Sequence, residues 1–395
     1  VKTLGSTRPL HDRPSLVTYA QVAVYGWFIY GFGPSIPLLR DEQGLSSSVA
    51  ALHDTAFAAA TIIVGVFGTR IAHTIGRGRA LRYGGILVAI GLSLYCAGHG
   101  LAVSLSGAVI LGFGAGLLIV FANAHLTAHQ GSAAPAALAE ANMLAALAGM
   151  IAPLALGIGV AIGWGWRPGL LVAALGYVVI EFFRGPTNYF NDDPTLDHDE
   201  EPELPLRRPF WFAILALVFL VSAEFCLVFW SSDLLHTRGG VERGMAAASL
   251  TAVVAGMAVG RGVGSIFAQR FNPERLLQLV IALAGVGIIL AWATTSTTVI
   301  VIGLFIAGLG IAMQWPLGMS RAARASDNQS DRAASYAAVA AGIAGGTAPF
   351  ILGALSDRMG IELAFLVAPA ALVIAFAIVT VSPVVSADLE PVVQT

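Results

Sequence analysis

The chain has 395 residues, of which 57% are hydrophobic and only 11% charged, with a formal net charge of −2 at pH 7. Soluble globular chains carry about a quarter charged residues, so lipid must be the solvent for most of this surface. The balanced charge and the lack of a dense basic tract exclude nucleic acid as a partner. Cys96 and Cys226 stand far apart in apolar stretches, with neither disulfide-framework nor metal-ligand spacing.

About 20 apolar residues cross a bilayer core as a helix, and backbone hydrogen bonding in lipid leaves the helix as the available form. Six spans are expected first, over 16–38, 47–70, 80–98, 103–127, 136–161 and 166–184. The first has no small-residue cleavage site behind it and reads as an uncleaved helix. A long polar segment follows, from Gly185 to Pro209, with Asp192, Asp193, Asp197, Asp199, Glu200, Glu201, Glu203 and five prolines. Its composition is that of a flexible aqueous linker. Six more spans are expected over 209–233, 244–268, 275–294, 297–320, 333–355 and 361–382. The expected architecture is therefore all-α and membrane-embedded: a six-helix bundle in 1–185, an acidic linker in 186–208 and a second bundle in 209–395.

The two bundles read as copies. Gly149-x-x-Ala152-Pro153-x-x-Leu156-Gly157 recurs 196 residues later as Gly345-x-x-Ala348-Pro349-x-x-Leu352-Gly353. The same offset pairs Gly44 with Gly240, Leu38-Leu39 with Leu234-Leu235, and Gly68 with Gly264. Two pseudo-symmetric bundles facing each other are the physical requirement for rocking around a central site, which points to a carrier. Of the basic residues near span ends, fifteen fall on the side that holds both termini and the linker, and five (Arg40, Arg167, Arg238, Arg243 and Arg358) on the other. That asymmetry places both termini in the cytoplasm of a cell in whose inner or plasma membrane the chain sits.

With twelve spans, an acidic central loop and repeated halves, the chain resembles the major facilitator superfamily. That family carries Gly-x-Leu-Ala-Asp-Arg-x-Gly-Arg-Lys after its second span. Here Gly76 and Arg77 match, while the motif's acid is replaced by His73 and its first glycine by Thr69. The resemblance implies a conformational latch at Gly76 and Arg77, weakened by the missing acid. The arginine and glutamine that proton-driven drug exporters carry in the fourth span fall near Ala108 and Leu111 and are absent. By contrast, Glu224 with Trp230, then Gly256-Met257-x-x-Gly260-Arg261, locally resembles the sugar–proton symporters.

An ionisable group inside a span costs roughly 2.5–3.5 kcal/mol on insertion scales, so each needs a reason. Three stand out as candidates for proton coupling: Glu224, Asp54 and Arg261. Burial raises a carboxyl pKa toward values where the group can exchange, which makes Glu224 the best proton carrier; Arg261 suits a substrate anion or a counter-ion. The bland alternative is that Glu224 or Asp54 simply pairs with Arg261. His53, about 100° around the helix from Asp54, is expected at the bundle surface.

The resemblance implies a cavity lined by spans one, four, seven and ten, and these carry Tyr25, Trp27, Tyr30, Asn123, Trp230, Gln314 and Trp315 as candidate substrate contacts. Tyr and Trp offer flat apolar faces with one hydrogen-bonding tip, although they also serve in interfacial belts. Pro153 and Pro349 interrupt the backbone ladder and are expected to permit bending.

The function expected is secondary active transport of a small organic solute, sugar-like or a related polar metabolite, by alternating access with proton symport. Proton-coupled drug efflux is the runner-up. No Gly-x-x-x-x-Gly-Lys-Ser/Thr loop is present to hold nucleotide phosphates, and no His, Asp and Glu cluster has metal or catalytic spacing. No cofactor, metal or enzymatic activity is therefore expected, and the carrier is expected to work as a monomer in the bilayer.

Overall fold

A computed structural model describes residues 9–185, 205–268, 270–326 and 329–384, which excludes the acidic stretch from Asp192 to Glu203. The first six helices are α1 (Arg13–Gln43), α2 (Ser47–Ile75), α3 (Arg77–Ala97), α4 (Leu101–Gln130), α5 (Ala134–Ala161) and α6 (Arg167–Arg184). The rest are α7 (Arg208–Gly239), α8 (Arg243–Ala248), α9 (Leu250–Ala268), α10 (Pro273–Trp292), α11 (Thr297–Ile311), α12 (Gln314–Ala325), α13 (Ser330–Met359), α14 (Ile361–Ala364) and α15 (Val367–Val381). Taking α8–α9, α11–α12 and α14–α15 each as one broken span gives six plus six. Eleven of these spans are long and apolar enough to cross a membrane; α6, at 18 residues, also holds Arg167, Glu181 and Arg184.

The breaks have local causes. Pro316 cannot donate to the carbonyl of Ala312, where α11 gives way to α12, and Pro369 cannot donate to Phe365, where α14 gives way to α15. At Ser249, between α8 and α9, the hydroxyl bonds its own helix at the Ala246 carbonyl, 2.6 Å away. By contrast, α5 and α13 run unbroken through Pro153 and Pro349.

The 196-residue repeat is visible in the packing. Gly44 and Gly240 end α1 and α7 in the same left-handed conformation, φ 61° and 62°, which glycine adopts without strain. Gly112 on α4 lies so close to α2 that a Cβ would stand 2.3 Å from the Phe57 carbonyl oxygen. Its counterpart Gly308 would meet the carbonyl oxygen of Val253, the counterpart of Phe57, at 2.1 Å. Small residues at such places let helix backbones approach directly.

The halves meet along two symmetry-related seams. α2 packs on α13, and α5 packs on α8 and α9. In the first seam Thr55 Oγ1 donates to the Gly346 carbonyl at 2.7 Å; in the second Thr251 Oγ1 donates to the Met150 carbonyl at 3.1 Å. Thr251 is Thr55 plus 196, and Gly346 is Met150 plus 196.

The end of the molecule away from the termini is clasped shut. Arg40 grips the Asp233 carboxylate with both terminal nitrogens, at 2.7 and 3.0 Å. Arg243 closes the ring by pairing with Asp41 at 2.6 Å and also with Asp233. Asp357 at the end of α13 accepts from the backbone N–H groups of Ser47 and Ser48, at 2.6 and 2.8 Å, and so caps α2 from the opposite half.

Candidate functional site

α1 and α7 pass each other at mid-height, and between them lies a cavity of about 220 Å³. α1 supplies Val22, Tyr25, Gly26, Ile29 and Tyr30, and α7 supplies Glu224, Phe225, Val228 and Phe229. The three-to-four-residue spacing in both sets is one helix face turned inward. α5 adds Asn142, Ala145 and Ala146, α4 adds Ile119 and α9 adds Arg261, so both halves build the wall. Ligand sites for drug-sized molecules run roughly 300–1,000 Å³, so this one suits a small solute.

The repeated Gly-x-x-Ala-Pro phrase has a role here. A Cβ on Gly149 would stand 2.3 Å from the Tyr30 ring, and one on Gly345 would stand 3.1 Å from the Phe225 ring. The two glycines leave space for the cavity's own rings beside α5 and α13.

Polar groups in this mostly apolar wall are few. Arg261 lies near enough to act electrostatically on both the Tyr30 hydroxyl and Glu224. Among the described ion pairs none joins Glu224 to Arg261, and Arg261 stands within hydrogen-bonding reach of the Tyr30 hydroxyl. Asn142, exposed on α5, adds an amide that can donate and accept.

Four of the candidates named from sequence, Tyr25, Tyr30, Glu224 and Arg261, therefore come together. The others stand elsewhere. Trp27 turns to α6 and donates to the Gly169 carbonyl at 2.8 Å. Trp230 is fully buried and donates to the Pro349 carbonyl at 3.1 Å, tying α7 to α13. Asn123 is exposed on α4, one turn from Ile119, and Trp315 is also exposed. Gln314 is buried at the break before α12, and neither atom of its amide finds a partner among the described residues. Asp54 is buried on α2, outside the cavity wall.

The expectation for His53 is corrected. It is completely buried, its ring bonding the Ser104 hydroxyl and the Ala50 carbonyl, each at 2.9 Å. The α2–α4 contact brings these partners, which satisfy both ring nitrogens. At the proposed latch, Gly76 takes φ 79° between α2 and α3 and Arg77 opens α3. The side chains of Thr69 and His73 lie outside the described ones.

Sequence reasoning missed Asn142, Phe225 and Phe229 in the wall, and the Arg40–Asp41–Asp233–Arg243 clasp. Opposite charges at the ends of spans one, seven and eight are the available signal for the clasp, of which the sequence reading uses only Arg40 and Arg243, for orientation.

Comparison with known proteins agrees with this architecture. The chain is similar in fold to a bacterial homologue of the human lysosomal transporter Spinster in an inward-facing, unoccupied conformation (TM-score 0.74, 17% identity, 94% of this chain and 97% of that one). It is similar also to the nucleoside transporter NupG (TM-score 0.72, 12% identity, 94% and 98%) and to a D-xylose–proton symporter (TM-score 0.72, 11% identity, 93% and 96%). No match is found among curated proteins. The family model for the Major Facilitator Superfamily matches residues 19–278 and 235–392. With twelve spans in two like bundles around one cavity, the chain belongs to the Major Facilitator Superfamily of transporters.

Proposed function

We propose that this protein is a proton-coupled secondary transporter of a small polar solute, sugar-like or a related metabolite, working by alternating access. The observation that carries the reading is the Glu224–Arg261–Tyr30 group in a cavity wall that both halves build. Resemblance to a D-xylose–proton symporter and a nucleoside transporter supports a hydroxyl-rich solute. In this reading Glu224 carries the proton. While neutral, it leaves the Arg261 guanidinium free to donate to solute hydroxyls beside Tyr25, Tyr30 and Asn142. Loss of the proton draws the carboxylate toward Arg261, which withdraws those donors and releases the solute.

Residues 1–185 and 209–395 move as two bodies joined by the 186–208 linker, in an inner or plasma membrane with both termini cytoplasmic. The clasp at Arg40 and Asp233 then closes the external side, and the cavity serves the cytoplasm. The unit is one chain in lipid, and it performs no enzymatic reaction.

Reconstituted vesicles test the proton role. Glu224→Gln should abolish proton-driven accumulation while solute exchange down no gradient continues; unchanged accumulation would remove Glu224 as the carrier. A thermal-shift screen against sugars, nucleosides, carboxylates and cationic drugs finds the solute, because ligands of the folded state raise its melting temperature.

A further inference from the structure

Asp54 is 1% exposed, and neither carboxylate oxygen has a hydrogen-bond partner among the described residues. An ionised carboxylate in such a place carries a large desolvation cost. The position is specific. In the sequence of α2, Asp54 falls after the Asp357 cap at Ser47 and Ser48 and directly before the Thr55–Gly346 bond, both in the seam that joins the halves, and it lies near Cys226 of α7 in the other half. It is about 10 Å, seven helical residues, below the start of α2 at the clasped end. From Phe57, one turn on, rings of Phe32 and Phe229 run in contact to the cavity wall, with centroids 5.7 and 6.2 Å apart. Asp54 is not among the residues that line the cavity holding Glu224.

Among the described residues, its neighbours offer it no counter-ion. His53, next on α2, is engaged with Ser104 of α4 and packs edge-on against Tyr95 of α3. Cys226 of α7 is close but neutral in kind, and Asp357 of α13 is a like charge at the helix end. On α1, Arg40 is held by Asp41 and Asp233. Nor does the seam need a carboxylate for packing: the residue 196 positions on is Leu250, equally buried and likewise followed by the bonding threonine.

We propose that Asp54 is a proton-binding site separate from Glu224, and that the end of the molecule away from the termini closes only while Asp54 holds its proton. The inference rests on the alternating-access reading above, but not on Glu224. When the seam parts, water from that side hydrates the carboxyl and the proton leaves to that water. Before the seam can re-form, a proton from the same side returns to the same oxygen. Asp54 thus moves no net charge across the membrane; it makes closing depend on the acidity of one side.

The test places a distance probe across the seam. Labels at Ser46→Cys and Met359→Cys, both exposed, report opening, since native Cys96 and Cys226 are buried. The labelled protein should open progressively as pH rises. Asp54→Asn should stay closed and lose the pH response, and Asp54→Leu, which copies Leu250, should do the same. Glu224→Gln should keep the response, so failure of that carrier is read separately in accumulation. An Asp54→Asn protein that opens with pH like the parent overturns the proposal. Should neither Asp54 variant fold, infrared spectra decide it in the Glu224→Gln background. Loss of a protonated-carboxyl band in step with opening supports the proposal, and opening without that loss overturns it.

Discussion

The two seams between the halves have the same plan and different chemistry. Each is held by a threonine hydroxyl donating to a backbone carbonyl of the other half, Thr55 to Gly346 and Thr251 to Met150. One residue earlier, the first seam buries Asp54 and the second buries Leu250. The same contrast holds at the cavity, where Glu224 and Arg261 stand 196 residues beyond Phe28 and Gly65. The shared residues account for how the halves fold and dock. Asp54, Glu224 and Arg261 are charged departures from the repeat.

Forcing the seams alike gives the largest expected effect. Leu250→Asp places an unpaired carboxylate at a fully buried position of the second seam, which should cost about 3–5 kcal/mol, seen as a lower melting temperature in detergent. An unperturbed melt would mean that this seam already tolerates charge and that the contrast is empty. Asp233→Ala leaves Arg40 and Arg243 without their shared partner. It should weaken the closed form by about 2–4 kcal/mol, less than a fully dry pair because the Arg243 side chain is 25% exposed. The Ser46–Met359 distance would lengthen accordingly, and no change would show that the clasp does not hold the closed state. Gly112→Ala and Gly308→Ala each push a methyl into a carbonyl of the neighbouring helix, at about 1–3 kcal/mol, and the two losses should match. Unequal losses would limit the duplication to the trace of the backbone. Thr55→Val and Thr251→Val remove one hydrogen bond each, about 0.5–1.5 kcal/mol in cross-seam stability, with the shorter Thr55 bond the more sensitive.

Much of the fold was legible because lipid forces long apolar runs to be helices. The expected fifth and sixth spans, 136–161 and 166–184, match α5 and α6 almost residue for residue. The breaks at Ala312 and Phe365 were missed although Pro316 and Pro369 stand four residues beyond them. The site was legible only in part. A membrane helix is apolar on its lipid face as well as its packed face, so amphipathic periodicity does not say which way a side chain points. That is why Tyr25 and Tyr30 were indistinguishable from Trp27, although only the tyrosines reach the cavity. The clasp was hidden for another reason: Arg40 and Asp233 are brought together only by docking of the halves.

Because Asp357 belongs to one half and the first turn of α2 to the other, that turn keeps its cap only while the halves are docked there. Lost capping is worth about 0.5–2 kcal/mol at a helix start. The amides of Ser47 and Ser48 are therefore a built-in reporter. Slow deuterium uptake there would mark the docked arrangement and fast uptake a parted one, read in the unlabelled protein.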